Sequence, residues 1–325
     1  MTEEENLAEL KKQPEFNLNL YSINKLETAL GFPREYLRKI AGFAGSDYHP
    51  FQQKKKPRPF QKAPLSQKVR VIDNPSLELK RIQRAINTKL LRPLEFPIQV
   101  CGGVKGRSVA DNIRLHSGAR VLVTLDIRKF FPSVTSLQVH AMWYKGLNCS
   151  PRISDLLTKL TTFERRLPQG APTSTLLANL VLLRAGQEIW NKCHQENVVY
   201  SFWVDDLAFS GDNARAVIQT AVESLRAAGF AVSHSKLKVC GPGERKMLTG
   251  RMLGRFISVH PDRLARIRSG IHKLETGEVA SGERDGYIRS LEGQIAYIAS
   301  IIPHKGIRLQ VALETAQAKQ IGKQP

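Results

Sequence analysis

Three carboxylates carry the clearest chemistry in this sequence. Asp205 and Asp206 stand side by side in Y-S-F-W-V-D-D-L-A-F-S-G, residues 200–211, and Asp126 ends the apolar run R-V-L-V-T-L-D, residues 120–126. Two adjacent anions repel each other, so an apolar hairpin gains no stability from carrying them at its bend. A divalent cation reverses that sign, because carboxylates are the hard oxygen ligands that Mg²⁺ prefers. Taken alone, the Asp-Asp pair reads equally well as a polar turn that happens to be acidic.

The flanking residues say how such a site would be held. Val198, Val199, Phe202 and Val204 favour one strand, and Leu207, Ala208 and Phe209 favour another. The spacing predicts a hairpin with both carboxylates at its bend. The near-continuous apolar run before Asp126 is typical of a strand buried on both faces. Asp126 lies far from the pair in sequence, so only adjacent strands of one sheet could bring the three together.

The whole chain supplies the context. Its 325 residues are 42% hydrophobic, enough for a globular core and one to three domains. Lys and Arg number 49 against 29 Asp and Glu, for a net charge of +20 and a pI near 10.0. That excess fits a polyanionic partner, most simply nucleic acid. The four cysteines, Cys101, Cys149, Cys193 and Cys240, are scattered without ligand spacing, against a zinc site or a disulfide framework. The N-terminus is acidic and no apolar run reaches membrane-spanning length, so no membrane association is expected and the cytosol is the default location.

Along the chain, residues 1–50 read as polar helices broken at Phe32-Pro33. His49 to Lys68 reads as a basic, Pro-rich loop or arm, with Lys54, Lys55, Lys56 and Arg58 suited to a phosphate backbone. A strand over 69–74 leads into a helix over 77–91. G-G-V-K-G-R-S, residues 102–108, could bring backbone and cations close to a phosphate, though it is no P-loop. Helices are expected from Pro132 to about Tyr144, over 153–163, from Thr173 to about Asn197, and over 214–228. A strand is expected over 230–239 and a short strand pair over 247–257, followed by basic helices from Pro261.

In this order the motifs resemble those of reverse transcriptases over roughly residues 65–255. Asp126 with Phe130-Phe131 resembles the first catalytic block. L-P-Q-G-A-P-T-S resembles the block on the nucleotide side, and F-W-V-D-D the Y-x-D-D block. S-x-x-K at Lys236 and L-T-G at 248–250 resemble the two blocks that follow, and V-R-V-I-D-N-P-S and V-K-G-R-S the two upstream. Within the family, Asn112-Ile-Arg-Leu-His116 resembles the Asn-Ala-x-x-His signature of bacterial retron enzymes, with Ile113 in place of Ala, and Leu248-Thr249-Gly250 resembles their Val-Thr-Gly.

The resemblance implies an α+β right-hand polymerase: N-terminal helices and helical and β fingers (1–120), an antiparallel-sheet palm (121–255, with fingers elements interleaved around 140–170) and a helical, RNA-binding thumb (256–325). It implies catalytic Asp126, Asp205 and Asp206, with Asp126, Asp205, Asp206 and the Ile127 carbonyl holding two Mg²⁺ ions, or Mn²⁺ in their place, that clamp the attacking and leaving oxygens of phosphoryl transfer. Arg70, Arg107, Phe131, Gln169, Gly170 and Lys236 are expected around the dNTP, the two arginines as forked phosphate donors and Phe131 against the sugar, where its ring would exclude a ribose 2′-OH. Asn112, His116, Trp203, Arg263, Arg266, Arg268 and Lys273 are expected to touch RNA. For His116 a satisfied core or loop histidine is an equal alternative. Trp203 stands where the family usually has Tyr, and an indole can donate but not accept a hydrogen bond. The implied partners are a cognate structured noncoding RNA, serving as template and primer, its DNA product, and a separate effector protein in antiphage defence. The alternatives are a group II intron or abortive-infection reverse transcriptase, or a non-catalytic RNA-binding scaffold.

Overall fold

The computed structural model describes residues 16–54, 69–253, 259 and 261–321. The chain divides into two compact units, residues 1–55 with 67–243, and residues 56–66 with 244–325.

The first unit opens with α1, Ile23–Leu30. Ser22 caps its start and Gly31, at φ +74°, ends it in the left-handed conformation glycine tolerates. Helix α2, Arg34–Phe43, follows Pro33. Strands β1, Tyr48–Lys54, and β2, Val69–Pro75, then pair antiparallel. Residues 48–54 are therefore a strand and not the loop expected there; the rest of the basic arm, with Lys55, Lys56 and Arg58, lies outside the described residues. Helix α3, Leu77–Ile86, runs into a π-turn, Asn87–Leu91. Helix α4, Val109–Leu115, starts with a reciprocal capping box between Ser108 and Asp111.

Strand β3, Leu122–Asp126, is followed by three helices: α5, Phe130–Ser133; α6, Ser136–Ala141; and α7, Pro151–Thr161. Helix α8, Ser174–Ala185, is buried over almost its whole surface, as its nearly unbroken apolar sequence requires. The helix expected to run to Asn197 breaks at Gly186. A β-carbon there would sit 3.0 Å from the Leu182 carbonyl, and α9, Gln187–Gln195, begins on the far side. The Asp-Asp hairpin follows as β4, Val199–Trp203, and β5, Asp206–Ser210. Helix α10, Ile218–Ala227, precedes β6, Lys238–Cys240. The strand expected over 230–239 is only this three-residue piece; a single bridge, Ile127 to Val232, and a 3₁₀ turn, His234–Lys236, fill the rest.

The four strands form one antiparallel sheet in the order β4-β5-β3-β6, with β3 inside. Residues 99–101 line the outer side of β4: Phe202 N–H donates to Gln99 O at 2.8 Å, and Cys101 N–H to Phe202 O at 3.0 Å. Trp143, Phe202, Phe209 and Phe230 are the largest fully buried side chains of this unit's core.

The second unit begins with β7, Lys246–Leu248, and β8, Arg251–Leu253. Thr249 and Gly250 join them with φ of +48° and +80°, the geometry of a tight two-residue hairpin turn. Helices α11, Pro261–Thr276, α12, Arg284–Ala299, and α13, Pro303–Ile321, pack around Ile267, Leu274, Ile298 and Leu313. Among the described residues no helix is long and apolar enough to cross a membrane. Mixed helix and antiparallel sheet make the chain α+β, as expected.

Candidate active site

The sheet register brings the three carboxylates together. Asp126, the last residue of β3, lies directly opposite Asp206, the first of β5. Asp205 sits in the two-residue turn between β4 and β5, and Ile127 N–H donates to its carbonyl at 3.0 Å. The other turn residue, Val204, has φ +61°. A β-branched residue there costs on the order of 1–3 kcal/mol and persists only where its surroundings impose it.

Asp126 is buried, at 5% exposure, and Asp205 and Asp206 are half-buried. Lys236 Nζ bonds Asp126 Oδ2. Loss of water raises the pKa of Asp205, and the Asp126 charge adds to the effect. Burial and the neighbouring Asp205 and Asp126 push Asp206 up to about 7. Crowded carboxylates, two of which resist ionisation, are donors whose repulsion a divalent cation would relieve. Among the described residues no group of three or more His, Cys, Asp or Glu side chains is arranged to hold a metal ion; here the Lys236 ammonium bonded to Asp126 moderates the repulsion instead. The donors fit Mg²⁺ in kind, and an ion would compete with Lys236 for Asp126.

A second buried carboxylate, overlooked in the sequence, fixes the loop beside this site. Asp73 on β2 is 1% exposed. Arg166 grips it with two N–H donors, at 2.7 and 3.2 Å, and Gln169 N–H donates to it at 2.9 Å. Asp73 N–H returns a bond to Gln169 O at 2.8 Å. Gly170 has φ +121°, and a β-carbon on it would meet Ile72 Cγ2 at 2.8 Å. The Gln169-Gly170 loop is thus clipped to the strand that carries Arg70, whose charge acts on Asp205. The one sequence signal was an acid at an inward-facing position of a strand.

Comparison with known proteins decides the family. Residues 53–255 match the family model of reverse transcriptases (RNA-dependent DNA polymerases). The chain belongs to the reverse transcriptase family. The retron Ec86 reverse transcriptase of Escherichia coli is 26% identical over 262 residues, 79% of either chain. The retron Mx65 reverse transcriptase of Myxococcus xanthus is 29% identical over 262 residues, 74% of this chain and 60% of that one. The retron Mx162 reverse transcriptase of Myxococcus xanthus is 30% identical over 274 residues, 73% of this chain and 56% of that one. The chain therefore spans less than two thirds of either Myxococcus relative. By class the enzyme is an RNA-directed DNA polymerase, and these relatives are retron enzymes.

Several residues of this reverse transcriptase stand elsewhere than expected. Arg107 does not reach out as a phosphate donor. Its guanidinium bonds the carbonyls of Phe96, Pro97 and, at 2.6 Å, Val100. Three carbonyls capture the fork that a triphosphate would need, so Arg107 braces the 96–100 loop.

Asn112 and His116 are also not surface RNA contacts, since they are 0% and 1% exposed. Ser201 donates its hydroxyl proton to Asn112 Oδ1 at 2.6 Å. It can then only accept from His116 Nε2, at 2.7 Å, which leaves Nδ1 to accept from Ser210, also at 2.7 Å. The chain Ser210, His116, Ser201, Asn112 ties α4 to β4 and β5. Burial lowers the His116 pKa to about 3, so the ring is neutral. The alternative of a satisfied core histidine is the one realised.

The remaining residues keep places open to function. Phe131 is half-buried beside Phe130, with ring centroids 5.9 Å apart. Trp203 is half-buried opposite Asp206 on β4. Ile127 is buried. On α11, Arg266, Arg268 and Lys273 are exposed, and Arg263 stacks on the Tyr297 ring, 3.9 Å from its centroid.

Proposed function

We propose that this reverse transcriptase copies a cognate structured noncoding RNA into single-stranded DNA, with the same RNA as template and primer and the DNA started from an RNA 2′-OH, in an antiphage system with a separate effector protein. The observation that carries the reading is Asp126 opposite Asp206 in the β3–β5 register, with Asp205 at the adjoining turn. Asp126, Asp205 and the Ile127 carbonyl would hold two Mg²⁺ ions, with Asp206 assisting one of them. The ions would supply charge neutralisation for the attacking and leaving oxygens.

The chain's own residues do the rest. Gln169 and Gly170, clipped to β2 through Asp73, form one wall of the nucleotide pocket, and Arg70 beside Asp205 meets the triphosphate. The ring of Phe131 lies against the sugar and selects dNTPs by excluding a ribose 2′-OH. Lys236, bonded to Asp126 here, would lie near the leaving pyrophosphate. In this reading residues 1–120 and 121–255 are fingers and palm, and 256–325 a thumb whose Arg263, Arg266, Arg268 and Lys273 recognise RNA by shape and backbone.

Purification from the native host and sequencing of the bound nucleic acid tests the proposal. A short DNA joined through a 2′ linkage to one structured RNA is the expected result, absent in an Asp205→Asn, Asp206→Asn variant. RNA alone, with no extension on addition of dNTPs and Mg²⁺, would leave only an RNA-binding scaffold.

A further inference from the structure

The strained Val204–Asp205 turn needs something that imposes its shape, and the segment around Gly102 supplies it. Gly102 packs directly on the turn: a β-carbon added there would lie 2.6 Å from Val204 N and 3.0 Å from the Trp203 carbonyl carbon. Two main-chain bonds, Phe202 N–H to Gln99 O and Cys101 N–H to Phe202 O, hold this segment along β4. Its position is then set by α8. Asn179, fully buried on that helix, donates from Nδ2 to the Gly102 carbonyl at 2.7 Å. One turn earlier on the same face, Thr175 Cγ2 stands 2.4 Å from where a Gly103 β-carbon would be. Helix, glycine pair and turn form one chain of contact with no slack for a methyl group.

We infer that Asn179 is a positioning residue for the metal-binding turn, acting through the Gly102 carbonyl to fix where the Asp205 carboxylate stands. The Asn179 amide bonds the Gly102 carbonyl and not a carboxylate. It joins the most buried helix of the unit to the turn, so that the ligand rides on a rigid element. The inference rests on the polymerase reading of the aspartate site.

The test uses the full chain, with Asn179→Ala, Asn179→Leu, which keeps the branched shape but removes the donor, and Gly102→Ala. Mn²⁺ binding, read by electron paramagnetic resonance on protein shown folded by its thermal melt, needs no turnover. Its half-saturation concentration should rise about tenfold or more in each variant. Single-turnover nucleotide addition should slow about 10- to 100-fold, with RNA affinity unchanged. The variant carrying both Asn179→Leu and Gly102→Ala should be no worse than Gly102→Ala alone, because both changes break the same chain of contact. Wild-type Mn²⁺ binding in folded Asn179→Ala or Asn179→Leu overturns the inference, as does full additivity. Absence of nucleotide addition by the wild-type protein overturns the polymerase reading instead, so the two failures are distinct.

Discussion

Replacement of His116 by Leu tests whether this histidine binds RNA or pins the catalytic sheet. In the folded protein burial keeps its pKa near 3, against 6.5 for an ordinary histidine. Below pH 6.5 the unfolded chain therefore takes up a proton that the folded chain refuses, and stability falls as the pH drops. The slope is about 1.4 kcal/mol per pH unit. Between pH 6.5 and pH 5 this one residue should remove about 2 kcal/mol. The Leu variant should lose that part of the slope. It should also be less stable at pH 7 by about 1–3 kcal/mol, because Ser210 loses its acceptor while Ser201 keeps Asn112. Urea unfolding of both proteins at several pH values gives the two curves, and their difference isolates His116. RNA affinity of the folded variant should match the wild type. Identical slopes, or a tenfold loss of RNA affinity with unchanged stability, would refute the buried neutral histidine.

Two further outcomes follow from the buried acids. Arg166→Ala strips the two-pronged partner from Asp73 and should cost about 3–5 kcal/mol in urea unfolding; a cost below about 1 kcal/mol would mean that the clip on the Gln169 loop bears no load. Asp206, held near pH 7 by burial and its acidic neighbours, must lose its proton to serve a cation. The rise in melting temperature on adding Mg²⁺ should therefore grow from pH 6 to pH 8 in the wild type and stay flatter in Asp206→Asn, while equal pH profiles would contradict the shared-charge account.

The catalytic hairpin was legible because it rests on local signals. Period-two apolar residues on both sides of an acidic bend specify strand, turn and strand, and the run before Asp126 specifies a third strand. What eluded the sequence depends on partners distant along the chain. Arg107 beside glycines looks like a phosphate ligand, and nothing local says that the carbonyls of residues 96–100 will enclose it. Asp73 and Arg166 meet across a long stretch of intervening chain. Tyr48–Lys54 is so polar and so exposed that only its pairing with β2 makes it a strand. The motif around Asn112 and His116 was recognisable, but its residues turn inward onto Ser201 and Ser210, a direction that no spacing rule encodes. Gly186 shows the reverse case: a glycine within a helical pattern is often tolerated, and here its backbone, at φ −90° and ψ 15°, ends one helix and begins the next.

The sheet's borders bear on how the protein behaves at high concentration. An open strand edge is a template on which a second molecule can continue the ladder, the first step towards fibres. Here one border, β4, has its Phe202 groups taken by Gln99 and Cys101 of the same chain, and the other, β6, is three residues long. The segment that seals β4 is also made earlier than β4 during synthesis. The residues that cover Phe202 are thus already made when the hairpin leaves the ribosome, and the chain carries its own partner for that edge.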